Sequence, residues 1–155
     1  MKKNIYIDMD GVLADFFGET DCVSRFENEK GFFRRLKPLR KNVAAVRKAI
    51  ADGKYNIYIL SASPNERCDQ DKIKWLNYYL PELETENAII MRNGEKKADY
   101  MRSADGILFD DYGKNIQEWV CNNAGANRAV KIKADGDVGI GLQAIEFFND
   151  IVLNA

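Results

Sequence analysis

Four short segments carry the chemistry open to this chain: Asp8-Met9-Asp10-Gly11, Ser61-Ala62-Ser63, Lys96-Lys97 and Asp110-Asp111. The chain has no histidine. That removes the usual general base, the commonest metal ligand and every Ser-His or Cys-His nucleophile pair. Catalysis must then run on carboxylates, lysines, hydroxyls and a hard metal. If Asp8, Asp10, Asp110 and Asp111 converge, they repel one another and stay ionised only around a cation. An all-oxygen donor set suits magnesium, which keeps water and substrate oxygens in its shell. A magnesium site with an open position binds phosphate. Ser61 can donate to a phosphate oxygen, a lysine adds positive charge, and the backbone N–H groups of Asp10, Gly11 and Ala62 can complete the cradle. Two aspartates two residues apart can divide the labour. Asp8 would attack phosphorus as a carboxylate, and Asp10 would give a proton to the leaving alkoxide and later take one from water.

These segments are useful only if the fold brings them together. Asn4–Ile7 reads as a short buried strand, and Val12–Phe17 as the start of a helix. Residues 18–38 are polar and charged with Phe26, Phe32 and Phe33 interspersed, and read as one or two short helices outside the core layer. Helices are expected over Asn42–Asp52, stopped by Gly53, and over Glu66–Leu80, with Ile73, Leu76 and Leu80 on its apolar stripe. A short helix is expected over Lys97–Arg102, another over Asn115–Asn123 ahead of Gly125, and a last one over Leu142–Leu153. Strands are expected at Asn56–Leu60, Ala88–Met91, Gly106–Phe109 and Ala129–Ile132. Strands alternating with helices predict a parallel sheet covered on both faces. Right-handed crossovers align the strand C-termini along one edge, where ligands bind in such sheets. Three of the four segments follow strands and so meet at that edge. The expected fold is α/β: one domain over 1–155, a three-layer α/β/α core on a five-stranded parallel sheet, and a small helical cap at about 18–38.

Composition narrows the partners. Among 155 residues, 23 Lys and Arg balance 24 Asp and Glu, so no strong field for nucleic acid polymers or acidic membranes is expected. Cys22, Cys68 and Cys121 are far apart, odd in number and without CxxC spacing. They suggest neither a disulfide framework nor zinc, and fit a reducing cytoplasm. The apolar stretch after the N-terminal lysines is too short for a signal peptide, and no run is long enough to span a membrane.

Each segment also has a plainer reading. Asp10-Gly11 could form only a turn, and Asp110-Asp111 could cap the next helix. Ser63 before Pro64 fits an N-cap, and Asp15 fits a structural hydrogen bond. Either Lys96 or Lys97 could be a solvated surface charge. Phe17, Phe32 and Phe33 wall a substrate or pack the cap, while Trp75 and Trp119 lie on helical stripes and read as core.

Taken together, Asp8 to Phe16, Ile59 to Ser63, Lys96-Lys97 and Ile107 to Asp111 resemble the four motifs of the haloacid-dehalogenase-like phosphatases. Within them the chain is similar to the 5′(3′)-deoxyribonucleotidase group, through Gly31 to Pro38 and Lys114 to Trp119. The resemblance implies magnesium-dependent hydrolysis of a small phosphomonoester, a nucleoside or deoxynucleoside 5′-monophosphate, through an aspartyl phosphate on Asp8. It implies Asp10 as acid and base, and Ser61, Ala62, Gly11 and Lys97 around the phosphate. Magnesium would be held by Asp8, the Asp10 carbonyl and a fourth-motif aspartate, Asp111 directly with Asp110 behind it. The mammalian nucleotidases carry a longer insert after the first motif. Other small phosphorylated metabolites, or binding of a phosphorylated ligand without catalysis, are the alternative readings.

Overall fold

The computed structural model describes residues 1–122 and 127–154. Its strands are β1 (Asn4–Ile7), β2 (Asn56–Ser63), β3 (Ala88–Arg92), β4 (Ile107–Asp110) and β5 (Arg128–Lys131). Its helices are α1 (Cys22–Asn28), α2 (Arg40–Asp52), α3 (Glu66–Tyr79), α4 (Gly113–Cys121) and α5 (Asp137–Asn154). Short 3-10 turns lie at Phe33–Arg35, Thr85–Asn87 and Lys97–Tyr100. The strands form one parallel sheet in the order β3–β2–β1–β4–β5. The chain therefore leaves the central β1 in both directions, and the switch point falls between β1 and β4.

Alternation along the strands sorts side chains into two layers. Ile5, Ile7, Ile57, Ile59, Ile107 and Phe109 face α2, α3 and α5, and pack on Val43, Val46, Trp75, Leu76, Val138 and Leu142. Tyr6, Leu60 and Leu108 face the other way, against Trp119 of α4 and the Lys97–Tyr100 turn. Trp75 and Trp119 are both core residues, and their indole N–H groups donate to Leu36 O and Gly106 O. Gly53 ends α2 at φ 64°, in the left-handed conformation that glycine adopts cheaply. At the head of α2 the buried Asn42 side chain donates to Val12 O (2.8 Å) and Ala134 O (3.3 Å), and accepts from Gly136 N and Val138 N. One amide thus ties the loop after β1 and the turn that opens α5 to the head of α2.

The structure corrects several sequence expectations. Val12–Phe17 is not a helix: the N–H groups of Val12, Leu13 and Ala14 all converge on Met9 O, and Ala14 then bridges Asp10 and Pro38 in extended fashion. Gly11 at φ 75° starts this reversal. β2 runs on through Ser63 because β3 pairs with it as far as Arg92, so Ser61-Ala62-Ser63 ends the strand rather than following it. The N-cap of α3 is Asn65, whose side chain accepts from Cys68 N at 3.0 Å; Ser63 donates to Asn65 O and to Asp69. The inward face of α3 is Cys68, Asp71, Lys72, Trp75 and Leu76, with Ile73 only half-buried. Segment 18–38 is not peripheral. Phe26, Phe32 and Phe33 are buried around Phe16, at ring separations of 5.7, 6.1 and 6.3 Å. Arg67 on α3 holds the carbonyls of Phe26, Glu27 and Glu29 at the end of α1, and Gly31 N donates to Asp71. Asn123 and Gly125, expected to end α4, lie outside the described residues. Among the described residues no helix is long and apolar enough to cross a membrane.

Candidate active site

Asp8 stands one residue beyond β1, and its N–H is tied to Phe109 O of β4 at 2.9 Å. Asp110 is the last residue of β4 and Asp111 the next. Because β1 and β4 are neighbours in parallel register, these three carboxylates must meet. One oxygen of each lies within 4.8 Å of the others. Lys97 enters from the short turn ahead of β4, buried, and its ammonium bridges Asp8 Oδ1 at 2.8 Å and Asp110 Oδ2 at 2.7 Å. Lys96 is exposed and is not part of this cluster. Asp110 is fully engaged. Its Oδ2 also accepts from Asn115 Nδ2 at 3.0 Å, and its Oδ1 from Tyr112 N at the head of α4. Asp111 is partly exposed where Asp110 is fully buried, so it offers the more available oxygens.

The electrostatics follow from the crowding. Burial pushes Asp8 well above the usual carboxylate range; Lys97 opposes this, and the charges of Asp110 and Asp10 add to it. Burial would pull Lys97 down, but Asp8 and Asp110 more than offset it and hold the ammonium charged. Burial and Asp110 push Asp111 up to about 6. One ammonium does not neutralise three carboxylates, so without a further cation a proton fills that role. An all-oxygen cluster with surplus negative charge and one partly exposed member fits magnesium better than a softer metal.

This sets a pH dependence whose sign is fixed. Asp111 binds its proton more tightly folded than unfolded, so its stabilisation is present below about 4, and is lost as pH rises through about 6. The shift would be about 3 kcal/mol for a dry site, and about 1 kcal/mol after solvent screening of a part-exposed carboxylate. In chelator, the melting temperature is expected to fall between pH 5 and pH 7.5. Added magnesium should raise it more at pH 7.5 than at pH 5, and Asp111→Asn should flatten the slope. A chelated protein that melts higher at pH 7.5 would contradict this.

Beside the carboxylate cluster lies a second, basic one. Asp10 Oδ1 accepts from Lys72 Nζ at 2.9 Å. Ser61, fully buried, accepts from the same ammonium at 2.7 Å, as does Ala62 O. The Gly11 N–H donates to Ala14 O at 2.9 Å, so in this conformation it is not free for a phosphate. Gly11 matters for room instead: a Cβ there would collide with Asp111 Oδ2 and lie 2.9 Å from Phe17. Phe17 is exposed beside Gly11 and is the one ring of the three named from the sequence that is left facing solvent; Phe32 and Phe33 are core. Lys72 and Asn115 were not singled out as site residues from the sequence. A helical stripe registered on Trp75 and Leu76 would have turned Lys72 inward.

The sequence matches the family of 5′ nucleotidase, deoxy (pyrimidine), cytosolic type C proteins over residues 19–133. The match begins after Asp8 and Asp10, so these two residues stand on the geometry. A Vibrio phage KVP40 protein described as a "Putative 5'(3')-deoxyribonucleotidase" is 34% identical over 90 residues, covering 51% of this chain and 52% of that protein. The chain thus aligns with about half the length of that relative. Solved structures with a similar fold include the haloacid-dehalogenase domain of the Legionella pneumophila effector Lem4, with TM-score 0.54 and 16% identity over 99% of this chain and 95% of that one. A haloacid-dehalogenase-like hydrolase of Burkholderia xenovorans LB400 gives TM-score 0.54 and 10% identity over 90% and 86%. A chain of the Pnkp1/Rnl/Hen1 complex gives TM-score 0.62 and 17% identity over 85% of this chain and 46% of that one. Most of the sequence lies inside the family match, so the chain belongs to the cytosolic type C 5′-nucleotidase family, on a haloacid-dehalogenase-like fold.

Proposed function

We propose that this chain is a magnesium-dependent phosphomonoester hydrolase working through an aspartyl phosphate on Asp8, with a nucleoside or deoxynucleoside 5′-monophosphate as substrate. The observation that carries the reading is the meeting of Asp8, Asp110 and Asp111 at the switch point under the Lys97 ammonium. Asp8, the Asp10 carbonyl and Asp111 would hold magnesium, with Asp110 fixing Lys97 behind them. The bound metal would supply positive charge to the phosphoryl oxygens.

The protein's own groups then divide the work. Asp8 attacks phosphorus, the bond to the leaving oxygen breaks, and Asp10 gives that oxygen a proton. Water next attacks the phosphorus of the aspartyl phosphate, passes a proton to Asp10, and Asp8 leaves as a carboxylate. Ser61 donates to a phosphoryl oxygen, while Gly11 and Ala62 let the backbone approach. Lys97 stays charged and adds to the field on the transferring group. A nucleotide substrate is supported by the family and by the name of the phage relative, and the exposed Phe17 ring offers a face for a base. The free thiols of Cys22, Cys68 and Cys121 fit a cytoplasmic setting.

The test is phosphate release from a panel of nucleoside monophosphates and sugar phosphates, with magnesium and with chelator. Magnesium-dependent release highest on 5′-nucleotides supports the whole reading. Release highest on sugar phosphates would replace the substrate class. No release from folded, magnesium-bound protein would overturn the hydrolase and favour a phospho-ligand-binding role.

A further inference from the structure

Lys72 is fully buried, lies in the middle of α3, and belongs to none of the four motif segments. A lysine ammonium has three N–H donors and no acceptor. Here all three have a partner: Asp10 Oδ1 at 2.9 Å, Ser61 Oγ at 2.7 Å and Ala62 O at 2.7 Å. The rings of Phe26 and Phe33, both from segment 18–38, lie 5.1 and 4.8 Å from the ammonium and close it off. With its donors occupied and its outer side walled by rings, Lys72 has nothing left to offer a phosphate. It differs in this from Lys97, which contacts Asp8 itself.

We propose that Lys72 is a positioning residue for Asp10 and Ser61, and that segment 18–38 shields it. The proposal rests on the reading of Asp10 as the acid and base. By donating to Asp10 Oδ1, Lys72 fixes the rotation of the carboxyl group and leaves Oδ2 as the oxygen that carries the proton. That proton goes to the leaving oxygen as the phosphorus–oxygen bond breaks and its electron pair stays on that oxygen. By donating to Ser61 Oγ, Lys72 occupies a lone pair and turns the serine hydroxyl hydrogen outward to the substrate.

The experiment compares wild type and Lys72→Met on two substrates: a nucleoside 5′-monophosphate, whose alkoxide must be protonated to leave, and 2,4-dinitrophenyl phosphate, whose phenolate leaves without a proton. We expect kcat to fall about 100-fold or more on the nucleotide, as for loss of a well-placed general acid. On the dinitrophenyl ester it should fall less than about tenfold, and in an Asp10→Asn background Lys72→Met should add little. Equal losses on both substrates would mean a merely structural lysine and overturn the proposal. A second arm needs no variant: the wild-type structure with magnesium and vanadate. Lys72 remaining on Asp10, Ser61 and Ala62 supports positioning; an ammonium moved onto a vanadate oxygen overturns it. A wild type that hydrolyses neither ester overturns the phosphatase reading itself, and this is seen before any variant is compared.

Discussion

Asp8→Asn is expected to lower magnesium-dependent phosphate release by at least about 10⁴-fold, or about 5.5 kcal/mol of barrier, while leaving the protein at least as stable as wild type in chelator. The first half follows from the chemistry. An amide does not attack phosphorus to form an acyl phosphate, and no neighbouring carboxylate is placed to take over. Asp10 is held by Lys72, Asp110 is closed in by Lys97, Asn115 and Tyr112, and Asp111 would be taken up by the proposed magnesium. The second half follows from the charge balance. Burial disfavours the Asp8 carboxylate, and Asp110 and Asp10 add to the effect. A neutral amide of the same shape removes that repulsion, while Lys97 keeps Asp110 as its partner. Loss of activity without loss of stability is the pattern expected where a site keeps like charges together for function. Phosphate release and a melting curve on one preparation check both halves. Activity retained in Asp8→Asn would place the nucleophile elsewhere.

How much of this was legible in the sequence depends on the range of the interaction concerned. The sheet was legible because short apolar runs such as Ile5 to Ile7 and Ile107 to Phe109 are buried on both faces and stopped by polar residues. Once the strands were placed, crossover handedness put the segment ends on one edge, and the structure does bring Asp8, Asp110, Asp111 and Lys97 together there. What escaped was set by tertiary packing. The apolar spacing of Val12, Leu13 and Phe16 mimics a helix, but Met9 O gathers three N–H groups and Ala14 is drawn to Pro38. The polar look of 18–38 placed it outside the core layer, yet Phe26, Phe32 and Phe33 gather around Phe16, and Phe26 and Phe33 also lie over Lys72. Lys72 itself reads as a surface charge, because a buried ammonium can be recognised only when its three acceptors are known, and these come from segments 10 to 62 residues away.

Lys97→Met tests the other half of the charge balance. Among the described residues, Lys97 is the only cation that contacts both Asp8 and Asp110, at 2.8 and 2.7 Å, and all three are buried. Replacing it with an apolar chain of similar length keeps the packing and strands two carboxylates. Breaking a buried pair from one side costs about 3–5 kcal/mol; here Asp8, already pushed up by burial, can relieve part of that by binding a proton, so about 2–3 kcal/mol is expected near neutral pH. The Lys97 pKa is raised above the ordinary lysine value, so the stabilisation is fully present across the neutral range and is lost only at strongly alkaline pH. The deficit in Lys97→Met should shrink as pH falls and Asp8 takes up a proton, and magnesium should recover part of it by supplying another positive charge. Phosphate release should fall about 100- to 1,000-fold, the scale of removing one preorganised charge from a transferring group. Lys96→Met is the matched control: its side chain is exposed one residue away, outside the cluster, and both stability and activity should stay near wild type. Equal damage from the two substitutions would mean that the loop, and not the ammonium between Asp8 and Asp110, is what the site requires.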